Sequence, residues 1–227
     1  MYTLHIANKN YSSWSLRPWA LLRALDIPFQ EEMHFFEGRS NAALFRQFSP
    51  SARVPCLQDG STVVWDSLAI AEYLAERHPK VWPGASSARA WARCACAEMH
   101  AGFADLRSQC SMSVGVRIRL HTVTDGLASD LQRLQDLWSD GLGRFGGPWL
   151  AGSEFTAVDA YFAPVAFRIQ TYDLQVQDAC RSYAHGLLAH PALRAWEAAA
   201  LAETRRDEPH EAEIPTVGVL LSDLRAR

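Results

Sequence analysis

Three serines stand where a helix of this chain is expected to begin. Ser12 and Ser13 follow Tyr11 directly, and Ser15 lies two residues further on. Pro18 supports a helix that starts close to these serines, because proline lacks the N–H group that the first helical turn leaves unpaired. Hydroxyls at a helix start either cap the helix or donate hydrogen bonds to a bound anion, which the partial positive charge there also favours. These residues alone leave both interpretations open.

The pair Asp66-Ser67 is a second place where polar side chains precede a helix. Apolar residues at Leu68, Ala71 and Ala75 have the spacing of one helix face. The N–H groups of the first turn and the Ser67 hydroxyl suit a carboxylate, and Asp66 could pair with an ammonium group. A plain N-cap explains the same pattern, and one site can cap a helix and bind a ligand at once.

The composition limits the classes of function that need to be considered. The 227 residues are 48% hydrophobic and 21% charged, with a net charge of −3, so no basic excess points to nucleic acid. The longest apolar runs fall short of the roughly 18 residues of a membrane span. The N-terminus does not resemble a signal peptide, so we expect a cytoplasmic protein. The five cysteines lack C-x-x-C spacing, which favours reduced thiols over a zinc site.

The first 79 residues predict a small α/β domain. Asp59-Gly60 lies between two short apolar runs, which is typical of a β-hairpin because both residues tolerate a positive φ. The other predicted elements are strands over 2–6 and 30–36, a helix from the serines to Leu25, a short helix over 41–48, and a helix over 68–77. We therefore expect one domain over 1–79 and a linker over 80–85.

Residues 86–227 predict an all-helical second domain. Apolar residues recur at helical spacing, and no segment after Trp65 is predicted to form a strand. Thr156 and Asp159 have the spacing of a capping box. The tail over 204–213 is charged, and we expect it to be mobile or to wrap around the surface. The predicted helices cover 88–110, 125–145, a segment after Thr156, 178–189 and 191–201.

The motifs together resemble those of the cytosolic glutathione S-transferases, over nearly the whole chain. The spacing of Ser12, Ser13 and Arg17 is most similar to the zeta class and its bacterial relatives. Trp14 departs from the zeta pattern, which has a cysteine there. The segments that carry the resemblance are Ser12-Ser13, Arg53-Val54-Pro55-Cys56-Leu57, the Asp59-Gly60 hairpin, the ten residues from Trp65 to Leu74, and Thr156-Ala157-Val158-Asp159.

The resemblance implies a fold, a co-substrate and an assembly. The fold would be an α/β thioredoxin-like N-terminal domain followed by an all-α helical bundle, with glutathione bound between them. The protein would form a homodimer, and Pro55 would be a cis proline. Cis geometry would let the backbone of Val54 pair with glutathione as an added strand.

The resemblance also implies roles for the candidate residues. A serine hydroxyl would hold the glutathione sulfur as a thiolate; the zeta pattern favours Ser12, with Ser13 and Tyr11 as alternatives. The implied glutathione site comprises Ser12, Ser13, Arg39, Ser40, Arg53, Val54, Pro55, Asp66 and Ser67. The implied pocket for a small hydrophobic electrophile comprises Tyr11, Trp14, Met99, Phe103 and Arg107.

Three functions remain open at this stage. The first is addition of glutathione to a small electrophile. The second is glutathione-dependent cis–trans isomerisation of a maleylacetoacetate-like diacid, for which Arg17 and Arg107 should matter. The third is a glutathione-binding or protein-interaction module without catalysis. We expect Arg17 to form a structural ion pair or to contact an acidic second ligand.

Overall fold

A computed structural model describes residues 1–38 and 40–226. Its N-terminal domain is a four-stranded sheet in the order β2-β1-β3-β4, in which β1 is parallel to β2 and antiparallel to β3. The predicted thioredoxin-like α/β domain is therefore confirmed. Its elements are β1 (Tyr2–Ile6), α1 (Ser13–Ala24), β2 (Phe29–Met33), α2 (Ala42–Phe45), β3 (Cys56–Asp59), β4 (Thr62–Val64) and α3 (Ser67–Ala75).

Two predicted elements of this domain are shorter in the structure. Strand β2 ends at Met33; the N–H of His34 still donates to the Ile6 carbonyl of β1 at 2.8 Å, but further along the loop backbone N–H groups bond to side chains. The N–H of Phe36 donates to Asn8 Oδ1 at 2.7 Å, and the N–H of Glu37 donates to Asn41 Oδ1 at 2.7 Å. These bonds hold the loop between β2 and α2 beside the start of α1.

The C-terminal domain is built mainly from helices, as predicted. Helix α7 lies at its centre, with almost every residue buried, and packs against α1 of the first domain. Its elements are α4 (Ser86–Ala101), α5 (Ala104–Gln109), β5 (Val116–Leu120), α6 (Asp125–Phe145), α7 (Ala157–Tyr172), α8 (Asp178–Ala189), α9 (Pro191–Ala202), α10 (Glu208–Val217) and β6 (Gly218–Asp223).

The prediction of no strand after Trp65 is wrong, because β5 and β6 pair as an antiparallel two-stranded sheet. Strand β5 reads Val-Arg-Ile-Arg-Leu, and this alternation was the available signal. The single helix predicted over 88–110 is also wrong. It breaks into α4 and α5 at Phe103, whose φ of 56° is left-handed and cannot continue a helix.

The chain after α9 packs back onto the N-terminal domain, and we call residues 203–226 the C-terminal strap. Glu203 accepts the N–H groups of Lys9 at 2.6 Å and Asn10 at 3.2 Å. The strap therefore follows the surface-wrapping alternative, and it contains α10 and β6.

The predicted bond from Asp159 back to the N–H of Thr156 is present, at 2.9 Å. Within residues 1–38 and 40–226, no helix is both long and apolar enough to cross a membrane.

Candidate functional site

An open cleft of about 1030 Å³ lies where the two domains and the strap meet. Its N-terminal side consists of the start of α1, the α2 region and the loop before β3. Its C-terminal side consists of α5, α7 and α10. Eight residues predicted from the sequence line this cleft: Tyr11, Ser12, Ser13, Trp14, Ser40, Arg53, Val54 and Arg107.

Ser12 and Ser13 occupy different positions at the start of α1. Ser12 is the N-cap residue and is 5% exposed, and its hydroxyl donates to Ser15 Oγ at 2.7 Å. Ser15 Oγ in turn accepts the N–H of Ala7 at 3.2 Å, so Ser12 helps to tie α1 to the end of β1. Ser13 is the first helical residue and is half-buried, and its hydroxyl makes no hydrogen bond within the described ranges. Ser13 therefore has the hydroxyl that is free to donate into the cleft.

The Tyr11 hydroxyl is already engaged by the strap. It donates to Glu211 Oε1 at 2.6 Å and accepts from Arg225 Nη1 at 3.1 Å. Burial and the neighbouring Glu211 carboxylate raise the pKa of Tyr11 well above its usual value. A tyrosine in this state is a poor donor to a sulfur anion.

A smaller recess of about 280 Å³ opens on the other side of Trp14 and is lined by Arg53, Pro55, Asp66 and Ser67 among others. Asp66 caps α3, because its Oδ1 accepts the N–H of Leu68 at 2.9 Å. Its Oδ2 lies 3.1 Å from His100 Nε2 and is about half exposed. This recess can accept an ammonium group at Asp66.

Val54 connects the two cavities, because it lines both. The Val54–Pro55 peptide bond is cis, as the resemblance implied. Val54 makes no backbone hydrogen bond within the part of the chain that the structure describes. Its N–H and C=O can therefore pair with an extended peptide.

Three arginines near the cleft have no acidic partner among the described residues: Arg107 and Arg168 line its C-terminal side, whereas Arg17 belongs to α1 and lines neither cavity. Arg17 and Arg168 are 2% and 3% exposed, and with Arg107 they form no salt bridge to any described carboxylate. The expected ion pair of Arg17 is therefore not found. Its guanidinium instead stacks on Trp14 at 4.1 Å and Tyr161 at 4.7 Å.

The buried positive charges of Arg17 and Arg168 are energetically unfavourable. Burial, with a contribution from neighbouring arginines, lowers the pKa of Arg17 and of Arg168 to about 10. Arg17 Nε and Nη1 have no hydrogen-bond partner among the described residues, whereas Arg168 Nε donates to the Cys110 carbonyl at 2.7 Å. An anion in the cleft would compensate the charge of Arg168, which lines the cleft.

His210 lines the cleft from the strap. Its Nδ1 lies 2.5 Å from Oδ2 of Asp207, a carboxylate that is only 2% exposed. The imidazole ring is stacked between Tyr11, at 4.8 Å, and Phe36, at 5.2 Å. His210 is therefore held firmly in one orientation.

Comparison with known families decides the classification. The sequence model of the glutathione S-transferase N-terminal domain matches residues 11–77, and that of the C-terminal domain matches residues 89–199. The chain belongs to the glutathione S-transferase family. Members of this family use glutathione as a co-substrate, so the prediction of a transferase enzyme is confirmed at the level of the family.

Solved structures of other transferases share the fold. A glutathione transferase homolog from Burkholderia, with bound glutathione, is 20% identical and covers 88% of this chain and 97% of its own, with a TM-score of 0.65. A glutathione S-transferase from Xylella fastidiosa is 21% identical and covers 88% and 98%, with a TM-score of 0.64. A diazinon-metabolizing transferase from the silkworm Bombyx mori is 16% identical and covers 88% and 97%, with a TM-score of 0.67. No curated protein matches the chain.

Two residues predicted from the sequence line neither cavity of this transferase, and a third lies outside the described part of the chain. Met99 and Phe103 are 0% and 5% exposed and belong to the core between the helices. They had the spacing of one helix face, which a core face and a pocket share. Arg39, predicted to bind glutathione, lies outside the described residues.

Two cleft residues of the transferase were missed by the sequence reasoning. Arg168 is the single charged residue in the second half of α7, among mostly apolar neighbours, and that isolation was a usable signal. Asp207 and His210 are three residues apart, a spacing that places both on one side of a helix. Neither signal indicates that the residue faces the cleft, because that depends on contacts with distant parts of the chain.

Proposed function

We propose that this transferase uses the Ser13 hydroxyl to hold the glutathione sulfur as a thiolate, which then adds to a small electrophile. The observation that carries the proposal is the free Ser13 hydroxyl in the first turn of α1, in the same cleft as the Val54 backbone. The geometry favours Ser13 over Ser12, because the Ser12 hydroxyl already donates to Ser15.

The energy required matches what these groups can supply. A free thiol has a pKa of about 8.5, and lowering it by two units takes about 2.7 kcal/mol. A hydrogen bond to a charged group contributes about 1.5–3 kcal/mol. The positive end of a helix adds about 0.3–1 kcal/mol. One hydroxyl and one helix start can therefore supply the stabilisation of the thiolate, which is a separate matter from the transfer of the thiol proton.

The rest of glutathione has partners on the N-terminal side. In this proposal the Val54 backbone pairs with the cysteine of glutathione, and Asp66 and Ser67 hold the γ-glutamyl end in the recess. Arg53 and Ser40 line the cleft, where Arg53 can neutralise the glycine carboxylate and Ser40 can donate a hydrogen bond to it. Trp14, which lines both cavities, then separates the peptide's two ends.

Conjugation of chlorodinitrobenzene tests the proposal. We expect Ser13→Ala to lower kcat/KM by about 10- to 100-fold, the effect of losing one hydrogen bond to a charge. Ser12→Ala should have a smaller effect, and exposed Ser182→Ala, on α8, serves as the control. If Ser12→Ala loses far more activity than Ser13→Ala, the assignment of the hydroxyl is wrong.

A second candidate function is supported by the arginines of the C-terminal side. Arg107 and Arg168 line the cleft and have no acidic partner in the described residues, which favours a second substrate that carries a carboxylate. Glutathione-dependent isomerisation of a maleylacetoacetate-like diacid would meet that requirement. Assays of this diacid and of halogenated aromatic compounds separate the two reactions.

The alternative of a binding module without catalysis predicts retention on immobilised glutathione with no turnover across a panel of electrophiles.

A homodimer in the cytoplasm remains our prediction for the assembly and location. Size-exclusion chromatography with light scattering tests the dimer.

A further inference from the structure

The His210 ring is oriented by its partners. Asp207 is almost fully buried, and its Oδ1 accepts the N–H of Gly38 at 3.2 Å. Its other oxygen, Oδ2, faces His210 Nδ1 at 2.5 Å. A carboxylate that accepts at this distance fixes the imidazole proton on Nδ1. His210 Nε2 is then an acceptor with a lone pair.

The His210 ring is part of the cleft wall. His210 lines the cleft together with Tyr11, Ser12 and Ser13, and Nε2 has no partner within the described ranges. Stacking on Tyr11 and Phe36 prevents the ring from turning away. The arrangement is a base held by a buried carboxylate, which is how side chains are prepared for proton transfer.

We propose that His210, positioned by Asp207, is a catalytic base that takes the proton from the glutathione thiol. The proposal rests on the proposed function, because it needs glutathione in the cleft. It adds a residue from the strap to a mechanism that Ser13 alone does not complete. A hydrogen bond from Ser13 stabilises the thiolate, but the thiol proton still requires an acceptor.

The proton transfer has a simple balance. The S–H bond breaks, its proton bonds to Nε2, and its electron pair remains on sulfur. The sulfur then forms a bond to the electrophilic carbon, and the leaving group departs with its own electron pair. The imidazolium finally releases the proton to solvent.

Other groups at the cleft are less suited to this step. The Tyr11 hydroxyl already donates to Glu211 and accepts from Arg225. His100 lines the recess, where its Nε2 pairs with Asp66. Glu213 lines the cleft with an exposed carboxylate that no hydrogen bond orients within the described residues.

Several charged or titratable groups surround His210 and must be considered in any pH profile. They are Asp207, Glu211 and Glu213 from the strap, Tyr11 from the start of α1, and Arg225 after β6. Glu211 pairs with Arg225, and its pKa is lowered, although burial opposes the effect of Arg225 and Tyr11. Glu211 therefore stays ionised across the range in which the assay is run.

The test uses the full chain with glutathione and chlorodinitrobenzene. We expect His210→Ala to lower kcat by about 100-fold, the usual size of a general-base contribution, with little change in the Kd for glutathione. Free imidazole added to this variant should restore part of the lost activity. Asp207→Asn should lower kcat and change the acid limb of the kcat/KM–pH profile, since the amide cannot orient the same tautomer.

Controls separate this proposal from the proposed function. His185→Gln, at an exposed position on α8, should match the wild type. His210→Gln, which keeps a polar side chain, replaces the alanine variant if the latter does not fold. If wild-type protein is active but both His210 variants keep its kcat, or lose only glutathione affinity, His210 is not the base. Wild-type protein that forms neither thiolate nor conjugate removes the proposed function as well.

Discussion

The two sides of the cleft hold charge in different ways. The N-terminal side uses the neutral Ser13 hydroxyl at the start of α1 and the backbone groups of Val54, in the loop before β3. The C-terminal side uses charged side chains, of which Arg168 is almost fully buried without an acidic partner among the described residues. On the second side, the buried charge of Arg168, which lines the cleft, needs an anion to balance it.

This difference divides the work of the transferase. In the proposed function, helix starts and backbone groups bind glutathione, the constant part of the reaction, and they cost little when empty because water can satisfy them. Buried guanidinium groups without partners are costly in the absence of ligand. We infer that this cost selects the second substrate by its charge.

The largest effect is expected at Arg168. Arg168→Met should lower kcat/KM for an electrophile with a carboxylate by about 10- to 100-fold, because one charge-assisted hydrogen bond is worth about 1.5–3 kcal/mol. The methyl ester of the same compound should be affected much less. The measurement is the ratio of kcat/KM for the acid to that for the ester.

Arg168→Lys is the matched control, since it keeps the positive charge and should retain most of the preference for the acid. Equal losses for the acid and the ester would mean that Arg168 supports the fold rather than the substrate. The proposed difference between the two sides of the cleft would then not hold for Arg168.

At Arg17 we expect a smaller effect, which is a gain in stability rather than a loss of activity. Arg17→Met removes a buried charge whose Nε and Nη1 have no partner in the described residues. The lost stacking on Trp14 and Tyr161 offsets part of the gain, at about 0.5–2 kcal/mol for each contact. We expect the free energy of unfolding in urea to rise by about 1 kcal/mol. A clear decrease would show that the stacking outweighs the burial of the charge.

The same difference explains what the sequence could predict. The N-terminal side depends on local patterns, such as serines at a helix start, Asp66-Ser67 before α3 and the Val54-Pro55 pair, so it could be predicted. The C-terminal side depends on distant contacts. Arg168 bonds to the carbonyl of Cys110, 58 residues away, and Tyr11 to Glu211, 200 residues away. No local pattern predicts such pairs.

The helical spacing of Met99 and Phe103 shows the same limit in another form. Both residues had the pattern of one helix face, and both are buried in the core. Phe103 also ends the predicted helix with its left-handed backbone. Periodicity predicts that a face is apolar, but it does not distinguish a packed core from a pocket wall.

The smallest effect is expected at Tyr11. Tyr11→Phe removes a hydroxyl that bonds only to the strap residues Glu211 and Arg225 within the described residues. We expect the stability to fall by about 1 kcal/mol, with the pKa of the bound glutathione thiol unchanged. A thermal melt and a thiol titration of the same variant measure both quantities. A raised thiol pKa would place Tyr11 at the sulfur.

The most direct test of the account is titration of the glutathione thiol when it is bound to the protein. Thiolate absorbance in the ultraviolet reports its pKa in wild-type protein and in Ser13→Ala. We predict a pKa about two units below the value near 8.5 of free thiols in the wild type, and a return most of the way towards that value in the variant. Glutathione that binds to wild-type protein with an unshifted thiol pKa would contradict the account.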